Sequence, residues 1–287
     1  MCEYRADMDT TEKIAKLLKE YPAEGKAIRV FQKKSNGGKR PIAKPNKELN
    51  KWLKVMNSAL VKHFNAWPDF MHGGIKKRSY VTYARPHVNQ QCVITIDMRE
   101  CFDSITTSEI ADALEVQLHL PHDIAELLAK KLCFRGKLAQ GFATSNYLSN
   151  LYLAPQLTKL NEELSHKKAV LSNYVDDIAL SGPLSKKDEI INTIAVSLSQ
   201  IRLAINKAKI EVMPSSRQQI ICGLVVNKRI SLTRALKLRL MSDVANLRMS
   251  ESSAQGWVAN LNGIDKSFRD KFYDYALKKG VLKTKSK

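Results

Sequence analysis

Apolar and polar positions along the chain alternate between helical and strand periods. Ile14, Leu17 and Leu18 share one helical face within 9–21, with Asp9, Thr10 or Thr11 available as caps. Leu49, Trp52, Leu53, Met56, Leu60 and Phe64 form a longer stripe, which predicts an amphipathic helix over 48–64 with Trp52 in the core. Between these, 28–42 reads as two strands joined by a turn at Ser35-Asn36-Gly37-Gly38. Further helices are predicted over 106–118, 122–132, 143–163 and 190–205, then a strand at 209–213. Leu232, Leu236, Leu240, Val244 and Leu247 return to helical spacing, and 257–276 continues as helix. No repeat, low-complexity tract or Pro/Ser-rich linker intervenes, and the tail from Lys283 to Lys287 is expected to fray. Irregular alternation of helices and strands predicts an α+β fold, its antiparallel sheet covered on one face by helices.

The polar residues that break this pattern carry the chemistry. Asp176 and Asp177 interrupt the apolar run Leu171–Leu180, and an apolar strand from Cys92 ends at Asp97. Burying unpaired carboxylates is costly, so a strand that keeps two of them calls for a cation; a solvated turn tip is the bland alternative. Neighbours on a strand face opposite ways, so a hairpin bend at Val175-Asp176 is needed to bring both acids to one point. With Asp97 converging on them, three carboxylates suit two Mg²⁺ ions and an in-line phosphoryl displacement, which implies nucleotidyl transfer.

The chain of 287 residues is 44% hydrophobic, enough for a folded core, and carries a formal charge of +19. A polyanion is the expected partner of such a surplus. Ten Lys or Arg against two acids lie in 24–54, and fourteen against five in 228–287, although basic runs also serve as solubilising faces. No long uncharged apolar stretch and no signal-peptide pattern is seen, so no membrane partner is expected. Cys2, Cys92, Cys101, Cys133 and Cys222 lack metal-ligand spacing, which argues for a reducing, cytoplasmic setting without disulfides. Cys101 reads as a packed thiol rather than a nucleophile.

Tyr174-Val175-Asp176-Asp177 resembles the Tyr-x-Asp-Asp signature of reverse transcriptases, and Asp97 with Phe102 resembles that family's first palm motif. Between them, Gln140-Gly141-Phe142-Ala143-Thr144-Ser145 through Asn150 is similar to Gln-Gly-x-x-x-Ser-Pro-x-x-x-Asn, with Asn146 in place of the Pro and hence a shifted helix start expected. Gly37–Pro45 looks like the basic fingers hairpin, Leu203–Lys209 like the motif after the catalytic hairpin, and Cys222–Leu232 like the primer grip. Within the family the chain resembles bacterial retron enzymes, with departures at Tyr83-Ala84-Arg85-Pro86-His87 and Ile221-Cys222-Gly223.

The resemblance implies a right-hand polymerase fold with fingers, an antiparallel-sheet palm and a small helical thumb. The divisions are 1–90 for the fingers and N-terminal helix, 91–227 for the palm with inserted fingers helices, and 228–287 for the thumb. It implies an RNA-directed DNA polymerase using two Mg²⁺ and deoxynucleotides, copying a structured noncoding RNA template and primer into DNA through an RNA–DNA hybrid. A role in antiphage defence with an effector protein partner follows from the same likeness. The alternatives are a reverse transcriptase of abortive-infection or intron type and an inactive RNA-binding scaffold; the absence of appended maturase or endonuclease segments argues against the intron type, and 287 residues are expected to leave no room for an RNase H domain.

Asp97, Asp176 and Asp177 are the expected metal ligands, with the Met98 carbonyl completing one ion. Lys39 and Arg40 are expected on the triphosphate, or else are merely exposed hairpin cations. Phe102 lies under the sugar and selects deoxynucleotides, unless it is a core aromatic. Gln140 and Gly141 line the nucleotide pocket, while Ser145 and Asn150 brace their helix. Lys209 is the candidate general acid for pyrophosphate, with a plain surface lysine as its alternative; Arg85 and His87 are candidate RNA contacts.

Overall fold

The computed structural model describes residues 8–33, 37–64 and 66–283, and the side chains from residue 11 onward. Helix α1 (Met8–Lys19) leads into the hairpin β1 (Ala27–Lys33) and β2 (Lys39–Pro45), followed by α2 (Lys47–His63) and α3 (Tyr80–Ala84). Strand β3 (Cys92–Asp97) is followed by α4 (Cys101–Ser104), α5 (Thr107–Leu118), α6 (His122–Leu132) and the short pair β4 (Cys133–Phe134) and β5 (Lys137–Leu138). Next come α7 (Ser145–His166), the hairpin β6 (Val170–Tyr174) and β7 (Asp177–Gly182), α8 (Lys187–Ser199) and β8 (Glu211–Pro214). Strands β9 (Ile220–Ile221), β10 (Leu224–Val225) and β11 (Ser231–Leu232) precede α9 (Arg234–Ala245), α10 (Glu251–Leu261) and α11 (Lys266–Lys278). The Ser35-Asn36 part of the expected turn, the Asp9 and Thr10 caps, Cys2 and the tail beyond Lys283 lie outside what is described.

The central sheet is antiparallel in the order β6-β7-β3-β8. Ile94, Ile96, Ile178, Leu180 and Leu171 face the larger core, which α1, α2 and α4 to α8 complete. Cover extends beyond the single helix-covered face expected: on the other face Val93, Ala179 and Met213 join a second core with Tyr83, Ile221, Leu240 and Phe272. That cover fades along β3: Val93 is buried, whereas Thr95 and Asp97 are half-buried. The acidic end of a strongly apolar sheet is therefore the end left accessible.

Three helix boundaries depart from expectation. Helix α8 stops at Ser199 rather than 205, because Leu203 N–H donates to Leu198 C=O at 3.0 Å and Arg202 N–H to Ser199 C=O at 3.1 Å, with Arg202 at φ +57°. This is a Schellman closure made with Arg where Gly is usual. The 257–276 segment splits into α10 and α11, Asp265 capping the second by accepting from Phe268 N–H at 3.1 Å. Leu232 belongs to β11, and Leu247 lies beyond α9 at 68% exposure. Helix α7, in contrast, runs through Pro155, a cost of about 3 kcal/mol that burial of Leu151, Leu153, Leu157 and Leu160 offsets.

Candidate active site

Strand register brings the acids together. Asp97 pairs with Asp177 at the end of β3 and β7, so both side chains leave the sheet on one face. Asp176 occupies the two-residue turn between Tyr174 and Asp177, and its carbonyl accepts from Met98 N–H at 2.8 Å. The expected bend at Val175-Asp176 is thus where the chain turns. Val175 carries φ +60°, a conformation that costs a β-branched residue about 1–3 kcal/mol. Asn173 Nδ2 holds the turn by donating to Val175 C=O at 3.0 Å.

Three cavities meet at these carboxylates. One of about 370 Å³ runs from Lys39 and Arg40 past Phe102 and Gln140 to Asp97, Asp176 and Lys209. A second, about 390 Å³, continues from Arg40 and Phe102 to Gly141, Ser145, Asn146 and the Tyr174–Asp177 turn. The third, about 500 Å³, opens from Asp97, Asp177 and Lys209 toward Cys222 and Gly223. Phe102 is 9% exposed and forms wall in two of them, so it is a packed aromatic that still presents an edge to the site.

Electrostatics favour a cation here. Burial, then repulsion from Asp97, raises the Asp176 pKa, with Arg40 and Lys209 opposing. Burial together with Asp176 and Asp97 pushes Asp177 up to about 6. Asp97 is neutralised differently: Lys209 Nζ donates to Oδ1 at 2.9 Å and Asn206 Nδ2 to Oδ2 at 3.3 Å. Among the described residues no acidic, His or Cys side chains are gathered into a ready-made ion cage. Hard oxygen donors from Asp97, Asp176 and Asp177 nonetheless suit Mg²⁺, an ion that keeps waters and takes few protein ligands. Met98 lies in the cavity wall with its side chain buried.

A metal titration follows from these shifts. An acid whose folded pKa is raised loses stability as pH climbs from its ordinary value of 3.8 toward about 6, since the unfolded chain ionises first. Mg²⁺ at pH 7.5 is expected to raise the melting temperature by several degrees, about 1 kcal/mol or more, and by much less at pH 5, where protons compete. Equal shifts at the two pH values in a melting experiment would contradict ionised Asp177 as a ligand.

The expected roles fare unequally. Gly141, at φ +116°, serves β2: a Cβ there would stand 2.5 Å from Ile42 Cγ2 and 2.6 Å from Ala43 O, and Ala43 N–H donates to Gln140 C=O at 2.8 Å. What approaches this glycine closely is the strand carrying Lys39 and Arg40. Ser145 Oγ donates to Ala139 C=O at the start of α7, which begins at Ser145 without a capping bond from the Thr144 side chain. Asn150 braces a different segment, its Nδ2 donating to Gly73 C=O at 2.7 Å. Lys209 pairs with Asp97, and its side chain is 58% exposed.

His87 is a correction. It is fully buried, hydrogen-bonds Ser181 Oγ through Nδ1 at 2.8 Å, and burial depresses its pKa to about 3, so it is a neutral core residue that cannot reach RNA. Arg85 is exposed and lines a hollow of about 490 Å³ with Arg229 and Lys266. Cys101 is buried with its pKa pushed up to about 12, an unreactive thiol as expected. Two residues had been overlooked. Asn206 sits inside the Leu203–Lys209 segment without an assigned role, and Gly73 is signalled only by the Gly73-Gly74 doublet ahead of Lys76, Lys77 and Arg78.

Comparison with known proteins agrees with this geometry. Residues 31–225 match the family model "Reverse transcriptase (RNA-dependent DNA polymerase)". The Retron Se72 reverse transcriptase of Salmonella heidelberg is 24% identical over 61% of this chain and 47% of its own length. For the Retron Ec48 reverse transcriptase of Escherichia coli the values are 26%, 75% and 58%, and for the Retron Ec86 enzyme of the same species 22%, 83% and 76%. The chain thus spans about half the length of the first two relatives. An apo telomerase from Candida Tropicalis truncated from its C-terminal domain shares the fold, with TM-score 0.50 and 13% identity over 73% of this chain and 55% of that one. No described helix is long and apolar enough to cross a membrane. Because the matched region takes in Asp97, the Gln140–Asn150 segment and the whole acidic hairpin, the chain belongs to the reverse transcriptase family, and within it resembles the retron-type enzymes of bacteria.

Proposed function

We propose that the chain is an RNA-directed DNA polymerase of retron type that copies a structured noncoding RNA into single-stranded DNA. The observation that carries this reading is the register pairing Asp97 with Asp177, with Asp176 in the adjoining turn, beside a cavity walled by Lys39, Arg40 and Phe102. Asp97, Asp176 and Asp177, with the Met98 carbonyl, would hold two Mg²⁺ ions, which supply charge neutralisation and make a 3′-hydroxyl a better nucleophile when bound. Lys39 and Arg40 bind the triphosphate, whose charge builds during transfer. Phe102 floors the sugar site, Gln140 and Gly141 line the nucleotide pocket, and Lys209 donates a proton to the departing pyrophosphate.

In this reading residues 1–90 act as fingers, 91–227 as palm and 228–287 as thumb, with template RNA and the RNA–DNA hybrid lying between the basic flanks and touching Arg85. The cytoplasm, antiphage defence and an effector protein complete the setting. The test is Mg²⁺-dependent DNA synthesis by the purified chain on a primed RNA template, with sequencing of co-purifying nucleic acid. DNA joined covalently to RNA through a branch supports the retron assignment. Linear DNA with free ends favours another bacterial branch, and no synthesis rejects the polymerase.

Phe102→Ala opens space beneath the sugar. Ribonucleotide incorporation relative to deoxynucleotide is expected to rise about 10²-fold in kcat/KM, read from competing single-nucleotide extensions. An unchanged ratio would return Phe102 to a purely packing role.

A further inference from the structure

The catalytic turn is held in an unfavourable shape by something outside its own hairpin. Segment 70–73 runs beside β6 as a parallel partner: Met71 bridges Asn173, Asn173 N–H donates to Phe70 C=O at 2.7 Å, and His72 N–H donates to Asn173 C=O at 2.8 Å. The segment ends with Gly73 pressed on the turn. A Cβ on Gly73 would lie 2.5 Å from both Val175 N and Val175 Cγ2, and 3.0 Å from Tyr174 C. Behind Gly73 stands Asn150 of α7, donating to its carbonyl at 2.7 Å. Below, Arg78 donates to the carbonyls of Met71, at 2.6 Å, and Trp67, at 3.0 Å, fixing the segment's other end.

From these contacts we infer that Asn150 and Gly73 form a strut that positions the Asp176 carboxylate by keeping Val175 in its left-handed conformation. Only a residue without Cβ fits between Asn150 and the turn, and Val175 is 8% exposed, so the turn cannot relax outward without displacing Gly73. The strut ties α7, whose first residues wall the nucleotide cavity, to the turn carrying Asp176. Asn150 and Gly73 are positioning residues: Asn150 acts through Gly73, and Gly73 acts through Val175. The inference rests on the polymerase reading and deepens it.

The Oδ1 of Asn150 is buried without a hydrogen-bond partner, so Asn150→Leu keeps the branched outline of the side chain, removes the strut bond and leaves the Gly73 carbonyl without that donor. Its melting temperature is expected to fall by no more than a few degrees. Its kcat for DNA synthesis is expected to fall about 10²-fold, the scale of an ångström-level misplacement, with KM for deoxynucleotide unchanged. In a Val175→Gly background positive φ costs nothing and the strut becomes dispensable. There Asn150→Leu is expected to cost no more than about threefold, a coupling that a double-mutant cycle reads directly.

Gly73→Ala probes the strut from its other side and is expected to lower kcat without moving KM. Equal losses from Asn150→Leu in the two backgrounds, a change in KM alone, or a collapse in melting temperature would each overturn the strut. Absence of synthesis by the unsubstituted chain would overturn the polymerase reading and the strut with it.

Discussion

Asp176→Asn leaves a folded protein that makes essentially no DNA. The amide preserves the turn, including the 2.8 Å bond from Met98 N–H to the residue 176 carbonyl, because that bond is made by backbone. What disappears is an anionic donor facing both the Lys39–Arg40 cavity and the Tyr174–Asp177 cavity. Synthesis is expected to drop about 10³-fold or more, equivalent to about 4 kcal/mol of transition-state stabilisation. Stability moves the other way. Burial and repulsion from Asp97 disfavour the ionised carboxylate, so without Mg²⁺ at neutral pH the variant melts higher, and Mg²⁺ recovers less for it than for the unsubstituted chain. Primer extension alongside thermal melts checks both directions; substantial synthesis by Asp176→Asn would remove Asp176 from the chemistry.

Lys209→Met separates two duties of one side chain. In the structure Lys209 neutralises Asp97 at 2.9 Å, occupying a carboxylate oxygen that a divalent ion also needs. A half-exposed pair of this kind is worth about 0–1 kcal/mol, so removing the lysine is expected to tighten nucleotide-free Mn²⁺ or Mg²⁺ binding up to about fivefold. DNA synthesis is expected to fall about 10²-fold nonetheless if Lys209 is, as proposed above, the proton donor for pyrophosphate. Lys209→Arg keeps the charge but not a proton it can release, so it retains the weaker metal affinity while losing synthesis. Calorimetric titration and single-turnover extension read the two effects. Weaker metal binding in Lys209→Met would show that the pair does not compete with the ion.

Local rules made the acidic centre legible. An apolar run ending in Asp97 becomes the central strand of a sheet buried on both faces, and adjacent acids within an apolar stretch mark a turn, since no strand interior could hold them. The misses come from contacts between residues far apart in the chain. His87 follows Arg85 and Pro86, both exposed, and only its packing on Ser181 of β7 reveals it as core. Gly73 acquires its importance from Val175 and Asn150, whose distances along the chain leave no periodic trace. The early end of α8 depends on Arg202 adopting a conformation that its side chain does not advertise.

Anatomical names suggest parts that could be taken off one another, and the second core denies this. Val93 on β3, Ala179 on β7 and Met213 on β8 pack in one cluster with Leu240, Val244 and Phe272 from α9 and α11. A fragment stopping at Val226 would turn those sheet positions into a greasy face open to water, inviting self-association. The shortest piece of this chain that can be handled as a well-behaved folding unit therefore includes the C-terminal helices, however far they lie from the acidic turn.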